Sequence, residues 1–160
     1  MFSQASEYAL RALTELARAE GEEWVLTSQL AQRLAVPVHY LAKVLQVLAR
    51  RGMLESQRGR QGGFRLARPA REITAWDVVQ ELDDTRTLYG CIMGESECSD
   101  ETACPLHRLW KTIRDQFLQM LQTTTLRDLA RFQDKRTDSF RLRAVRLPRN
   151  ATGKDSPGAR

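Results

Sequence analysis

Residues 27–51 constrain the fold most, because two apolar-periodic segments stand there with only a short break between them. In Thr27-Ser28-Gln29-Leu30-Ala31-Gln32-Arg33-Leu34, the residues Leu30, Ala31 and Leu34 share one helical face, and a hydroxyl residue stands at the cap. Ala35-Val36-Pro37-Val38 interrupts the pattern, since a proline ring disfavours helical backbone in the residue before it. A second helix is expected from about Val38 to Arg51, with Leu41, Val44, Leu45 and Leu48 inward and Gly52 ending it. Two short helices joined by a tight turn, the second with basic residues outside, make a helix-turn-helix.

The next stretch, Met53 to Leu66, has apolar ends around a centre of glycine and arginine, Arg58-Gly59-Arg60-Gln61-Gly62-Gly63. It reads as two short strands and a flexible tip, a β-wing whose glycines allow close approach and whose arginines suit phosphates or a narrow minor groove. A nucleotide phosphate loop is disfavoured, because no Gly-Lys-Ser/Thr ending is present. A helix over residues 5–19 precedes the pair, closed by Gly21, and another follows from Thr74, with Asp77 placed for a capping box. The expected fold is mainly α with a small β-wing: a winged helix-turn-helix domain over residues 1–83.

Charge is segregated along the chain. Residues 33–71 hold nine basic side chains and one acidic, whereas residues 1–32 hold two and five, and residues 72–132 six and eleven. A basic block inside the folded part is suited to a polyanion, here double-stranded DNA. The candidate contacts are Thr27 and Ser28 at the first helix of the pair, His39, Tyr40, Lys43, Arg50 and Arg51 on the second, and Arg58, Arg60 and Arg65 in the wing. No apolar run nears the roughly 20 residues of a membrane span. The start, Met1-Phe2-Ser3-Gln4, lacks the pattern of a signal peptide, so a cytoplasmic protein without membrane contact is expected.

All three cysteines, Cys91, Cys98 and Cys104, lie in the stretch 84–104, and His107 follows Cys104-Pro105-Leu106. Thiolates bind soft metals and cluster iron. Three cysteines and an imidazole also make a structural zinc set, although such sites usually show closer pairs. A thiol redox switch is the third reading of the loop. A long helix is expected from about Pro105 to Thr123, with Leu106, Leu109, Trp110, Ile113, Phe117, Met120 and Leu121 as one apolar stripe suited to a dimer seam. A short helix from Thr125 completes the unit 105–132, and residues 133–160 read as a basic, disordered tail. The only histidines are His39 and His107, and neither pairs with a convincing nucleophile, so enzyme chemistry is not expected.

Together, Ser6-Glu7-Tyr8-Ala9-Leu10-Arg11-Ala12-Leu13, Tyr40-Leu41, the wing Arg58 to Leu66, the cysteine loop, Leu109-Trp110 and Thr125-Leu126-Arg127-Asp128-Leu129 resemble the Rrf2 family, including its IscR-like and NsrR-like branches. The resemblance covers residues 1–132. It implies a homodimeric transcription regulator, a repressor, whose DNA affinity is set by an iron–sulfur cluster on Cys91, Cys98 and Cys104. It places His39 and Lys43 where members read bases or phosphates, and Arg58 where a wing arginine enters the minor groove. Ala42 stands where the IscR-like branch has an acidic residue that discriminates between DNA sites, so that branch's targets do not carry over. His107 matches a fourth ligand of a two-iron cluster. Glu7 falls where the NsrR-like branch supplies a carboxylate from the partner subunit to a four-iron cluster. The resemblance favours the two-iron arrangement with His107; zinc, or no metal, is the alternative.

Overall fold

The structure, a computed structural model, describes residues 2–19, 23–59, 61–91, 93–94, 99–101 and 103–135. Helix α1 (Gln4–Arg18) starts where the Ser3 hydroxyl accepts a hydrogen bond from the Ser6 amide, and it buries Ala9, Ala12, Leu13 and Leu16. Helix α2 (Thr27–Leu34) and α3 (Val38–Arg50) add Leu30, Leu34, Leu41, Val44, Leu45 and Leu48 to the same core. The expected hydroxyl cap on α2 is corrected: Leu26 is the capping residue, and no side chain bonds to the helix start.

What stops α2 lies before the proline. Ala35 takes the left-handed conformation, φ 55° and ψ 47°, and the chain reverses through a Val36 N–H to Ala31 carbonyl bond of 3.0 Å. Pro37 then serves as the cap of α3. A left-handed alanine costs about 1–2 kcal/mol, so the tight turn carries local strain that packing of Leu34 and Val36 offsets.

Strands β1 (Leu54–Gln57) and β2 (Gly63–Leu66) pair antiparallel, with Leu54 opposite Leu66 and Gln57 opposite Gly63. Val25 extends this ribbon through two 3.0 Å hydrogen bonds with Phe64. Gly63, at φ +134°, lies so close to the Val25 carbonyl that an added Cβ would collide with it. This glycine therefore fixes the wing to the body of the domain.

Helix α4 (Ala75–Val79) has the expected capping box: the Asp77 amide donates to Thr74 Oγ1 at 3.1 Å, and the Thr74 amide to Asp77 Oδ2 at 2.9 Å. One-turn helix α5 (Arg86–Tyr89) lies in a stretch expected to be loop, with the Tyr89 ring edge-on to Trp76 at 6.3 Å. Helix α6 spans His107–Thr123 and α7 spans Leu126–Asp134. Thr125 and Asp128 form a second capping box. The two capped segments lie back to back, joined by hydrogen bonds from Ala75 N–H to Thr124 and from Leu126 N–H to Ile73 of 2.8 and 2.9 Å.

Helix α7 packs on α1, and Leu126 is wholly buried in the winged-domain core. It also runs to Asp134, so the segment from residue 133 onward starts inside a helix; residues 136–160 lie outside the described residues. The apolar stripe of α6 divides into two faces. Leu118 and Leu121 are buried, Phe117 stacks on Phe2 at 5.6 Å, and Leu106, Leu109, Ile113 and Met120 face outward. Among the described residues no helix is long and apolar enough to cross a membrane.

Candidate nucleic-acid interface and cysteine loop

Once Leu41, Val44, Leu45 and Leu48 turn inward, helical geometry puts His39, Lys43, Gln46 and Arg50 on the opposite, exposed side of α3. Thr27 and Ser28 stand in the first turn of α2, whose amide N–H groups have no partner within the helix. Arg58 is exposed at the wing tip, next to Gly59 at φ +107°. Lys43, Arg50 and Arg58 form no ion pair with another described residue, so their charge faces solvent. Arg60 lies outside the described residues.

Three of the other sequence-named contacts have intramolecular work. Arg65 pairs with Glu55 across the wing at 2.6 Å and its guanidinium covers the Trp24 ring at 4.6 Å, so it ties the ribbon to the chain before α2. Arg51 pairs with Glu81 at 2.8 Å. Tyr40 meets Tyr8 of α1 edge-on at 5.7 Å, and Arg11 lies over the Tyr8 ring while donating to the Leu34 carbonyl at 2.7 Å. This cluster holds α3 at a set angle to α1. Trp24 and Tyr8 carried no signal of this in sequence, because the contacts join residues distant along the chain.

The cysteine loop is tied to α6 at both ends. Trp110 donates its indole N–H to the Gly90 carbonyl at 3.0 Å, just before Cys91, and the His107 amide donates to the Cys104 carbonyl at 3.0 Å. Cys91 and Cys104 are half-buried free thiols, and the Cys91 sulfur accepts from the Met93 amide at 3.4 Å. Cys98 lies outside the described residues. His107 is buried, and its Nε2 lies 2.8 Å from Asp100 Oδ1; Lys111 Nζ lies 2.8 Å from the other Asp100 oxygen. Hydrogen bonds from Lys111, and then from His107, hold the Asp100 carboxyl below its ordinary range. Asp100 and Lys111 were not singled out in sequence, where one of several acids before a histidine is indistinguishable from a solvated charge.

The donor types fit a soft metal, with thiols at both ends of the loop and an imidazole at its foot. Among the described residues, however, no three histidine, cysteine or acidic side chains are gathered as a metal set. Glu7 is exposed in the first turn of α1 and pairs with Arg11 at 3.5 Å.

The family model described as "Rrf2: Iron-dependent Transcriptional regulator" matches residues 2–131. The chain is 34% identical to the HTH-type transcriptional regulator NsrR of Geobacillus kaustophilus over 125 residues, covering 78% of this chain and 85% of that one. Among solved structures, it is similar to CymR, the global cysteine regulator of B. subtilis, with a TM-score of 0.70 and 31% identity, covering 82% and 97% of the two chains. T. potens IscR has a TM-score of 0.68 at 24% identity, covering 88% and 93%, and shows the fold alone.

Proposed function

Because this chain belongs to the Rrf2 family of transcriptional regulators, DNA-binding proteins rather than enzymes, we propose that it is a homodimeric repressor whose grip on DNA is set by an iron–sulfur cluster in the 91–107 loop. In this reading α3 enters the major groove with His39, Lys43 and Arg50, while Arg58 at the wing tip reaches the adjacent minor groove. Thr27 and Ser28 meet a phosphate at the start of α2. Arg51, Tyr40 and Arg65 act mainly by holding the reading head in shape. The outward stripe of α6 is the seam between two copies.

The observation that carries the cluster reading is the closure of the cysteine loop at the first turn of α6: Gly90 is tied to Trp110 and Cys104 to His107. Cys91, Cys98, Cys104 and His107 would hold a two-iron cluster. When bound, the cluster would supply iron that responds to oxidant, nitric oxide or iron supply. The chain's own part is to convert order in this loop into the placement of α6, and so of two α3 helices that must meet half-sites about one helical turn apart. The description of the family model as iron-dependent and the NsrR relative support this reading.

A second reading, a cluster-free DNA binder with a thiol switch or a structural zinc, is favoured by the similarity to CymR and by the lack of a gathered ligand set among the described residues. Anaerobic purification, iron and sulfide counts and a DNA-binding comparison of loaded and stripped protein separate the two. The cluster reading predicts a coloured protein whose DNA affinity changes on stripping. A colourless, iron-free protein that binds DNA equally well with Cys91, Cys98 and Cys104 all changed to alanine would sink it.

A further inference from the structure

We infer that Gln46 is a specificity-determining residue of α3 and reads an adenine on the floor of the major groove. The inference rests on the reading above in which α3 enters that groove, and it is independent of any metal in the cysteine loop. With Leu41, Val44, Leu45 and Leu48 buried, His39, Lys43, Gln46 and Arg50 form one exposed stripe along α3. The stripe runs about 16 Å along the helix, and a groove about 12 Å wide admits a helix in this way. One class of helix that reads bases from such a position does so with residues at i, i+3, i+4 and i+7. Counted from His39, the other three are Ala42, Lys43 and Gln46.

The chemistry of the side chains separates Gln46 from its neighbours on the stripe. A phosphate offers acceptors alone and draws the cations Lys43 and Arg50, whose longer stems reach the groove walls. An adenine edge offers an acceptor at N7 and a donor at N6. A glutamine amide satisfies both at once: its nitrogen donates to N7 and its oxygen accepts from the N6 amino group. The Gln46 amide is available for this, since it has no hydrogen-bond partner among the described residues. Its surroundings on the helix also allow a close approach. Ala42 and Ala49, four residues before it and three after, are its neighbours on the helix surface and add no bulk. The shorter Gln46 side chain can therefore reach the base edges.

The test uses the full chain, wild type beside Q46A, Q46E, H39A and K43A, in whichever form, loaded or stripped, binds DNA more tightly. Selection from a randomised duplex library should give wild type a half-site with an A·T pair at one position that depends on Gln46. Q46A should lose about tenfold in preference at that position alone. Q46E should shift the preference there to C·G, because a carboxylate accepts from cytosine N4. Replacing that adenine by 7-deazaadenine, which lacks N7, should weaken wild type about tenfold and leave Q46A unmoved. The salt slope and thermal unfolding of Q46A should match wild type, whereas K43A lowers the slope at every sequence. A Q46A site identical to the wild-type site overturns the inference, as does a Gln46-dependent position holding a base other than adenine. A uniform loss of affinity in Q46A with a lower salt slope makes Gln46 a phosphate contact and overturns it too. If wild type selects no site at all, the reading of α3 fails and the inference with it. If H39A and K43A weaken binding to the selected site while Q46A leaves that site unaltered, only the Gln46 assignment fails.

Discussion

Ala35 sits at φ 55°, where a side chain is strained and glycine is at ease, and its neighbours Leu34 and Val36 are both buried. A35G should therefore raise stability by about 0.5–1 kcal/mol in urea denaturation, despite glycine's greater freedom in the unfolded chain. A loss of stability would show that the αL strain is not there. The charged residues divide in a way that kinetics and equilibrium can both read. K43A and R58A should weaken DNA binding across all sequences and lower the salt slope by about one each, with stability unchanged. R65A should instead destabilise the domain by about 0.5–1 kcal/mol, because it loses the Trp24 ring and the Glu55 pair, and should leave the salt slope nearly unchanged. Equal salt effects at all three positions would refute this division. The basic character of the block was legible in sequence. Which of its members are spent inside the protein was not, because Glu55, Glu81 and Trp24 are brought to them only by the ribbon and by α4.

At the scale of elements, the paired capping boxes are the joint between the winged domain and α6. Thr74→Ala should cost about 1 kcal/mol, since it leaves the Asp77 amide without its oxygen acceptor at the start of α4. Asp128 adds a pH dependence. Hydrogen bonds from the Thr125 side chain and backbone hold its carboxyl below the ordinary value of 3.8. Its contribution is thus fully present above that value and is lost as pH falls through the lower folded one. D128N should flatten the acid limb of the stability curve below about pH 4, and an unchanged limb would exclude the box as its source. The boxes themselves could be read from Thr74-x-x-Asp77 and Thr125-x-x-Asp128, a purely local pattern. That they stand back to back, with Ala75 bonded to Thr124, depends on a pairing across fifty residues that no local pattern encodes.

For the molecule as a whole, the open question is what covers α6. At 17 residues it is about 25 Å long, and Leu109 is 65% exposed and Ile113 49%. Contiguous apolar side chains of this kind are expected to be buried against a partner, and in the proposed dimer a second copy would supply the matching stripe. I113E should convert a dimer to a monomer in analytical ultracentrifugation and weaken binding to a two-half-site DNA at least tenfold, with the circular dichroism of the fold retained. A monomeric wild type, or a dimeric I113E with unchanged DNA affinity, would remove α6 as the seam. Sequence by itself determined the helix pair, the wing, the basic block and the closeness along the chain of Cys91, Cys98, Cys104 and His107, because these follow from periodicity, turn chemistry and spacing within a few dozen residues. The tertiary structure decided the rest: that α7 belongs to the core, that the α6 stripe has an inner and an outer face, and that Asp100 and Lys111 stand behind His107. Each of these depends on which distant surfaces bury one another, and that is settled only when the whole core packs.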